Sequence, residues 1–276
     1  MINNPKPRRD NQMKKDNSPK NVDKSAKNYF DEAEKLYKQK DYSTAISTFD
    51  EAIRLDPNYV EAYNGRGNAK NEIGQYIEAI SDFDEAIRLD PNFAKAYNNR
   101  GNAKSRLEQY FEAITDYDEA IRLDPNGALS YYNRGIAKRK LGHPKEAISD
   151  YDEAIRLDPG YVKAYRNRSL AKSDIGQHFE AISDLDMVIR LDPEDDAAYN
   201  NRGVDKVGLG HHEAAIADYD KAIRLNPDNI LAYFNRGLSK KELGRTAEAD
   251  QDFQKALSLS EKAGDTELIT DIKKQM

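Results

Sequence analysis

The sequence predicts an all-α protein built as a linear stack of two-helix units. Three observations carry that prediction. Pro57, Pro91, Pro125, Pro159, Pro193 and Pro227 follow one another at intervals of 34 residues. The stretch VEAYNGRGNAKNEIGQYIEAISDFDEAIRLDPNF (60–93) is restated as AKAYNNRGNAKSRLEQYFEAITDYDEAIRLDPNG (94–127). Within each unit, small and apolar residues recur at the helical spacings of three, four and seven. Such a ruler belongs to stacked supersecondary units that each turn the chain at the same place.

In the unit 94–127, Ala96, Tyr97, Gly101 and Ala103 mark a first helix over roughly 94–107. Ala113, Ile114, Tyr117, Ala120, Ile121 and Leu123 mark a second over roughly 111–123. Gly74, Gly142, Gly176, Gly210 and Gly244 mark the turn between them in other units, where a helix C-terminus favours glycine. The second helix ends at its Asp-Pro step. Proline cannot continue the hydrogen-bond ladder and pushes the preceding residue out of the helical region. Asn58, Asn92, Asn126 and Asp228, just after the proline, are placed to cap the next helix. Gly101, Ala113 and Ala120 stand where a large side chain would hold the two helices apart. An aromatic occupies the fourth place of every unit (Tyr29, Tyr63, Tyr97, Tyr131, Tyr165, Tyr199, Tyr233). Its apolar body and polar tip suit a seam between units.

This pattern resembles the tetratricopeptide repeat family: an aromatic near the start, three small places, then proline. The resemblance covers about 240 of the 276 residues. It implies a right-handed superhelical solenoid of antiparallel helix pairs (α-α superhelix). It also implies a concave groove, lined mainly by the first helix of each pair, that holds a peptide or an extended partner segment.

Taken in order, residues 1–25 are rich in Asn, Lys and Pro with few large apolar groups. They are expected to form a disordered basic N-terminal tail, a solvated leader or a weak docking arm for acidic surfaces. Seven Lys/Arg against three Asp give them +4, which leaves −10 of the total −6 on the repeat body. Seven units follow: 26–59, 60–93, 94–127, 128–161, 162–195, 196–229 and 230–263. Unit one is irregular in its first helix, with Ala33 at the small place and Phe30 and Glu34 replacing the asparagines of unit two. Unit five departs at Ser169, Leu185 and Val188. Unit seven keeps Tyr233, Gly237, Ala249 and Ala256 but has Glu261 where proline should stand. Residues 264–276, including DTELITDIKK, are expected to form a capping helix over the last unit's apolar face.

Forty-nine Asp/Glu against 43 Lys/Arg, with a third of the chain charged, suit a solenoid with much surface for its volume. Without cysteine no disulfide can form. No stretch approaches a membrane span, and no apolar signal core opens the chain. The expected setting is cytoplasmic. The wording of the repeats also resembles bacterial tandem-repeat proteins, some of which act on host proteins, so export to a host cell is the expectation if the source is an intracellular bacterium.

Catalysis finds no footing. His143, His178, His211 and His212 fall in the turns within units and are expected to be solvated. Carboxylates such as Asp82, Asp84 and Glu85 recur in every unit, which the repeat itself explains. There is no glycine-rich phosphate loop and no nucleophile–base signature. No enzyme activity, cofactor or metal is expected. Arg66, Arg100, Arg134, Arg168, Arg202 and Arg236, like Arg54, Arg88, Arg122, Arg156, Arg190 and Arg224, recur too regularly to read one ligand. Their expected work is ion pairing and packing within the unit.

Recognition should rest where the units differ. The resemblance implies that the second, fifth, sixth, ninth, twelfth and thirteenth residues of each unit face the groove. Candidates run from amides (Asn64, Asn68, Asn98, Asn99, Asn102) through a basic centre (Asn133, Arg139, Lys140, Lys163, Arg166, Asn167) to an apolar end (Asn200, Val204, Leu231, Phe234). Amides can both donate to and accept from a peptide backbone. The cations favour acidic side chains or a terminal carboxylate. The expected ligand is an extended protein segment, acidic with apolar anchors. Chaperone adaptors of the family clamp the C-termini of heat-shock proteins. Asn102, Asn133 and Lys163 match that clamp, but Asn98 and Asn167 stand where its Lys and Arg should be. An RNA-reading helical repeat is the other alternative, opposed by the acidic body and the lack of a continuous basic stripe. Self-association through the terminal units completes the expected partners.

Overall fold

The computed structural model describes residues 25–276, which form helices and short connections with no strand among them. The expectation for residues 1–24 falls outside the described residues. Unit one consists of α1 (Ala26–Lys38) and α2 (Tyr42–Leu55), and unit two of α3 (Val60–Glu72) and α4 (Tyr76–Leu89). Then follow α5 (Ala94–Arg106) with α6 (Tyr110–Leu123), and α7 (Ala128–Lys140) with α8 (Pro144–Leu157). The last three pairs are α9 (Val162–Ser173) with α10 (His178–Leu191), α11 (Asp196–Gly208) with α12 (His212–Leu225), and α13 (Ile230–Glu242) with α14 (Thr246–Ala263). A final helix, α15 (Thr266–Gln275), closes the described chain. The whole is an all-α superhelix. Each helix packs on its neighbours in sequence. First helices of adjacent units also touch, as α1–α3, α3–α5, α5–α7, α7–α9 and α11–α13. First helices therefore lie along one continuous side of the stack.

The small residues let the two helices of a unit close on one aromatic ring. A Cβ added at Gly101 would lie 2.7 Å from the Tyr117 ring, and one at Gly135 2.7 Å from Tyr151. Gly67 meets Phe83 and Gly237 meets Phe253 in the same way. These rings are fully buried, as are Ala79, Ala86, Ala113 and Ala120 around them. In unit five, Ser169 and Leu185 take the two places, and both are buried. A smaller partner at the ring position leaves room for the serine.

The turn within each unit needs one left-handed residue. Gly74, Gly142, Gly176, Gly210 and Gly244 supply it at φ of 75–80°. Units one and three place Lys40 (φ 63°) and Glu108 (φ 60°) there instead. A Cβ in this region crowds the following carbonyl. Glu108→Gly is therefore expected to stabilise the chain by about 0.5–1 kcal/mol, the relief of that crowding less the extra freedom of an unfolded glycine. Urea midpoints of the two proteins check it, and a lower midpoint for the variant would reject it.

The helix caps correct one expectation. Asn58, Asn92, Asn126 and Asp228 do not cap the following helices. The N-cap places belong to Tyr59, Phe93, Gly127 and Asn229, one residue later. The residue before each proline organises the turn instead. Asp56 Oδ1 accepts from the Asn58 N–H at 3.0 Å, Asp90 Oδ1 from Asn92 at 3.0 Å, and Asn226 Oδ1 from Asp228 at 3.1 Å. An aspartate side chain reaches the amide two residues on more readily than the asparagine reaches its successor helix.

Units are tied together by the recurrent arginine of the first helix. Arg100 donates through Nε and Nη2 to Asp116 of its own unit, at 3.0 and 2.6 Å, and through Nη1 to Asp84 of the preceding unit at 2.6 Å. Lys104 Nζ adds 2.7 Å to Asp116. The guanidinium lies 5.4 Å over the Tyr97 ring, which gives the fourth-place aromatic its partner. Arg66, Arg134, Arg168, Arg202 and Arg236 repeat the arrangement. A planar fork that satisfies two carboxylates and covers an aromatic face is work for arginine, not lysine. By contrast Arg88, Arg122 and Arg156 pair with glutamates three residues earlier on exposed helix faces, where such pairs add little.

At the end of the stack α14 runs on through Glu261, because no proline stops it. It ends at Gly264, whose φ is 74°. The chain then folds back as α15. Ile272 is fully buried with Phe253, Ala249 and Ala256, and Leu268 packs against them.

Candidate functional site

The continuous side made by first helices is where the units differ most, and it carries the candidate groove. Its fifth and sixth places prove to be coupled to the stack. In units one, four and five the fifth residue is matched to the last residue of the same unit. Phe30 packs on Tyr59 at 5.0 Å and Tyr132 on Tyr161 at 4.9 Å. Arg166 forms an ion pair with Asp195. In units three, four, five and seven the sixth residue reaches back one unit. Asn99 Nδ2 donates to Asn64 Oδ1 at 3.0 Å, Asn133 to Asn98 Oδ1 at 3.1 Å, and Asn235 to Asn200 Oδ1 at 3.1 Å. Asn167 donates to the Tyr132 hydroxyl at 3.0 Å. The result is a side-chain ladder that runs along the groove floor.

This ladder changes several sequence-based assignments. Asn98, Asn133 and Asn200 are 6%, 9% and 6% exposed, so they form the groove floor and offer a ligand little surface. A buried amide must be satisfied inside the protein, and the neighbouring unit supplies the partner. Asn102 accepts from the Tyr117 hydroxyl at 2.9 Å. The chaperone-type clamp thus loses Asn133 and the carbonyl of Asn102, besides the two charges already missing. The basic centre is also reduced. Arg139 Nε pairs with Asp174 at 2.6 Å, and Arg166 is held by Asp195. Lys140 and Lys163 are exposed and form none of the ion pairs seen among the described residues. Val204 (44%) and Leu231 (51%) stand exposed, while Phe234 is half-buried and lies 6.1 Å from the Phe253 ring.

Three cavities open along this side. The first, about 460 Å³, is lined by Phe30, Phe93 and Leu129 with Glu34, Glu61 and Asp124, and by Asn64, Asn68, Asn98, Asn99 and Lys95. Gly127, the one glycine in the last-residue position of a unit, also lines it. The second, about 530 Å³, gathers Tyr110, Tyr117 and Tyr132 with Arg106, Lys140 and Asn102. The third, about 350 Å³, is mostly apolar, with Val204, Val207, Leu238 and Tyr219 beside His212 and Asn235. Burial raises the pKa of the Tyr132 hydroxyl, which stays neutral and accepts from Asn167. Lys163 and Leu231 line none of the three.

The acidic character of the first cavity was missed. Asp124 comes from an inter-unit turn, outside the groove pattern, and Glu34 stands at the ninth place of the irregular first unit, where the next two units have asparagine. The histidines hold a second surprise. His178 is no solvated turn residue: its Nδ1 lies 2.9 Å from Oδ1 of Asp205 in the next unit. Ser173 donates to the same oxygen at 2.5 Å. Asp205 is 2% exposed and stands where other units have Ala103, Ala137 or Ala171. The serine bonds the carboxylate and not the imidazole, so the cluster pins units five and six and lacks the order a nucleophile needs. Among the described residues no group of acidic, histidine and cysteine side chains could hold a metal ion. No helix among them is long and apolar enough to cross a membrane.

Comparison with known proteins agrees with this architecture. A model of the TPR repeat matches residues 33–72, 67–107, 106–142 and 207–244, and models of the tetratricopeptide repeat match 128–161 and 230–262. The curated proteins contain no match. Among solved structures, YrrB, described as a TPR protein with an unusual peptide-binding site, is 28% identical with a TM-score of 0.58, over 67% of this chain and 95% of that one. MamA is 30% identical with a TM-score of 0.57, over 59% of this chain and 96% of its own. A tetratricopeptide repeat protein from Parabacteroides merdae shares the fold at 20% identity and a TM-score of 0.66, over 91% of this chain and 98% of its own.

Proposed function

This chain belongs to the tetratricopeptide repeat family, and from that premise we propose that it is a non-catalytic scaffold holding an extended segment of a partner protein in its groove. The observation that carries the reading is the change of lining along one continuous side. Acidic and aromatic groups come first, then tyrosines with Arg106 and Lys140, then an apolar cavity at Val204, Val207 and Leu238. An extended chain can meet three chemistries in a row, at about 3.3 Å per residue. Arg106 and Lys140 favour acidic side chains in the ligand's middle, and the apolar end takes an aliphatic or aromatic anchor. The resemblance to YrrB, whose description names a peptide-binding site, supports the same reading.

An array of synthetic peptides with acidic centres and Leu or Phe toward one end tests it. The best binder should lose about tenfold in affinity, near 1.4 kcal/mol, with Lys140→Glu, and a similar factor with Val204→Asp. Circular dichroism would check that both variants remain helical. Unaltered affinity in both would reject the groove as the site.

A further inference from the structure

We propose that residues 1–24 of this chain dock in the acidic first cavity of the groove and compete there with other occupants. The cavity's chemistry and the segment's chemistry are complementary. The cavity is lined by Phe30, Phe93 and Leu129 and by the carboxylates of Glu34, Glu61 and Asp124, against the one cation Lys95. Glu34 and Glu61 form none of the ion pairs seen among the described residues, whereas Asp50, Asp84 and Asp118 on the second helices are each taken by an arginine. Residues 1–24 carry seven Lys/Arg against three Asp, while the rest of the chain carries −10. They group their cations as Arg8–Arg9 and Lys14–Lys15, with Met13 beside the second pair as an apolar anchor.

Position favours the chain's own segment over an outside one. Ser25 caps α1, the helix that contributes Phe30 and Glu34 to the cavity. The rise from Ser25 to Glu34 is roughly 14 Å, and 24 residues reach up to roughly 80 Å when extended. A tether of this length holds the segment at an effective concentration on the order of 1 mM. A contact with a Kd of about 100 μM would then fill the cavity about nine-tenths of the time and weaken competitors about tenfold. The same contact between separate molecules would be negligible at micromolar protein. The pairing is also electrostatic, so it should fade with salt. This inference holds whether or not an outside partner uses the rest of the groove.

The test uses the full chain and a fluorescein-labelled synthetic peptide of residues 1–24 as the probe. A released variant replaces Lys6, Arg8, Arg9, Lys14 and Lys15 by Glu in the full chain. The probe is expected to bind the released variant about tenfold tighter than the native chain. Adding Glu34→Lys and Glu61→Lys to the released variant should abolish binding. Glu61→Gln serves as the milder change if the double reversal unfolds the first unit, and it should weaken binding at least threefold. Equal affinity for native and released chains overturns the proposal, as does binding that survives the cavity changes. A native chain that sediments as a dimer through the same segment would place it in a second copy and likewise overturn the intramolecular assignment.

Discussion

Replacing Arg134 by alanine is expected to destabilise the protein by about 3 kcal/mol, a large share of any domain's stability. Arg134 donates to Asp150 at 3.0 and 2.6 Å and to Asp118 of the preceding unit at 2.6 Å. It also lies 5.5 Å over the Tyr131 ring. Burial, the largest single influence, lowers its pKa, but the hydrogen bonds and charges of Asp150 and Asp118 together raise it, so the guanidinium stays charged. Asp150, 4% exposed in the native protein, would keep only Lys138, at 2.8 Å, as a cation. That lysine keeps the loss at the lower end of the range for breaking a buried pair. Arg134→Lys should recover little, because an ammonium cannot span two carboxylates and cover a ring. The position matters as much as the size. Arg134 joins units three and four, near the middle of a stack whose stability is a sum of units and interfaces. Urea unfolding should therefore broaden or split into two steps. A single sharp transition shifted by less than about 1 kcal/mol would reject the account.

The second large effect is a coupling. Gly135→Ser alone should cost about 2 kcal/mol, because its Cβ would press within 2.7 Å of a fully buried Tyr151. Tyr151→Leu alone should cost about 2–3 kcal/mol for the space it leaves. The double variant should cost at least 1 kcal/mol less than the sum, since each change relieves the other. Unit five already carries that pair as Ser169 and Leu185, both buried. Denaturant midpoints of the four proteins close the cycle, and strict additivity would show that the glycine and the ring do not share space.

The unit structure was legible because it rests on local chemistry repeated many times. The proline step, the left-handed glycine and the three small places each act within a few residues of themselves. Glu261 in place of proline announced the long α14. The groove was legible only in outline. Its apolar end was expected at Val204, Leu231 and Phe234, of which Val204 lines the apolar cavity and the other two do not. Its amides do line the cavities, but a sequence does not say that Asn98 is also bonded to the next unit's Asn133. Arg166 was misread for the same reason, since its partner Asp195 stands 29 residues away. Asp205 went unnoticed because a polar residue at a small place has no meaning until His178 and Ser173 are seen to approach it.

By itself the sequence determined the repeat, its helices, its turns and its family, because these follow from backbone preferences and periodic burial. Only the tertiary structure decided which polar side chains are spent on holding units together and which remain for a partner. Arg139 and Lys140 are neighbours in the chain, yet Asp174 neutralises one and leaves the other in solvent. Such a division depends on distances between units, where charges and amides find partners some 35 residues away, and no local pattern encodes it.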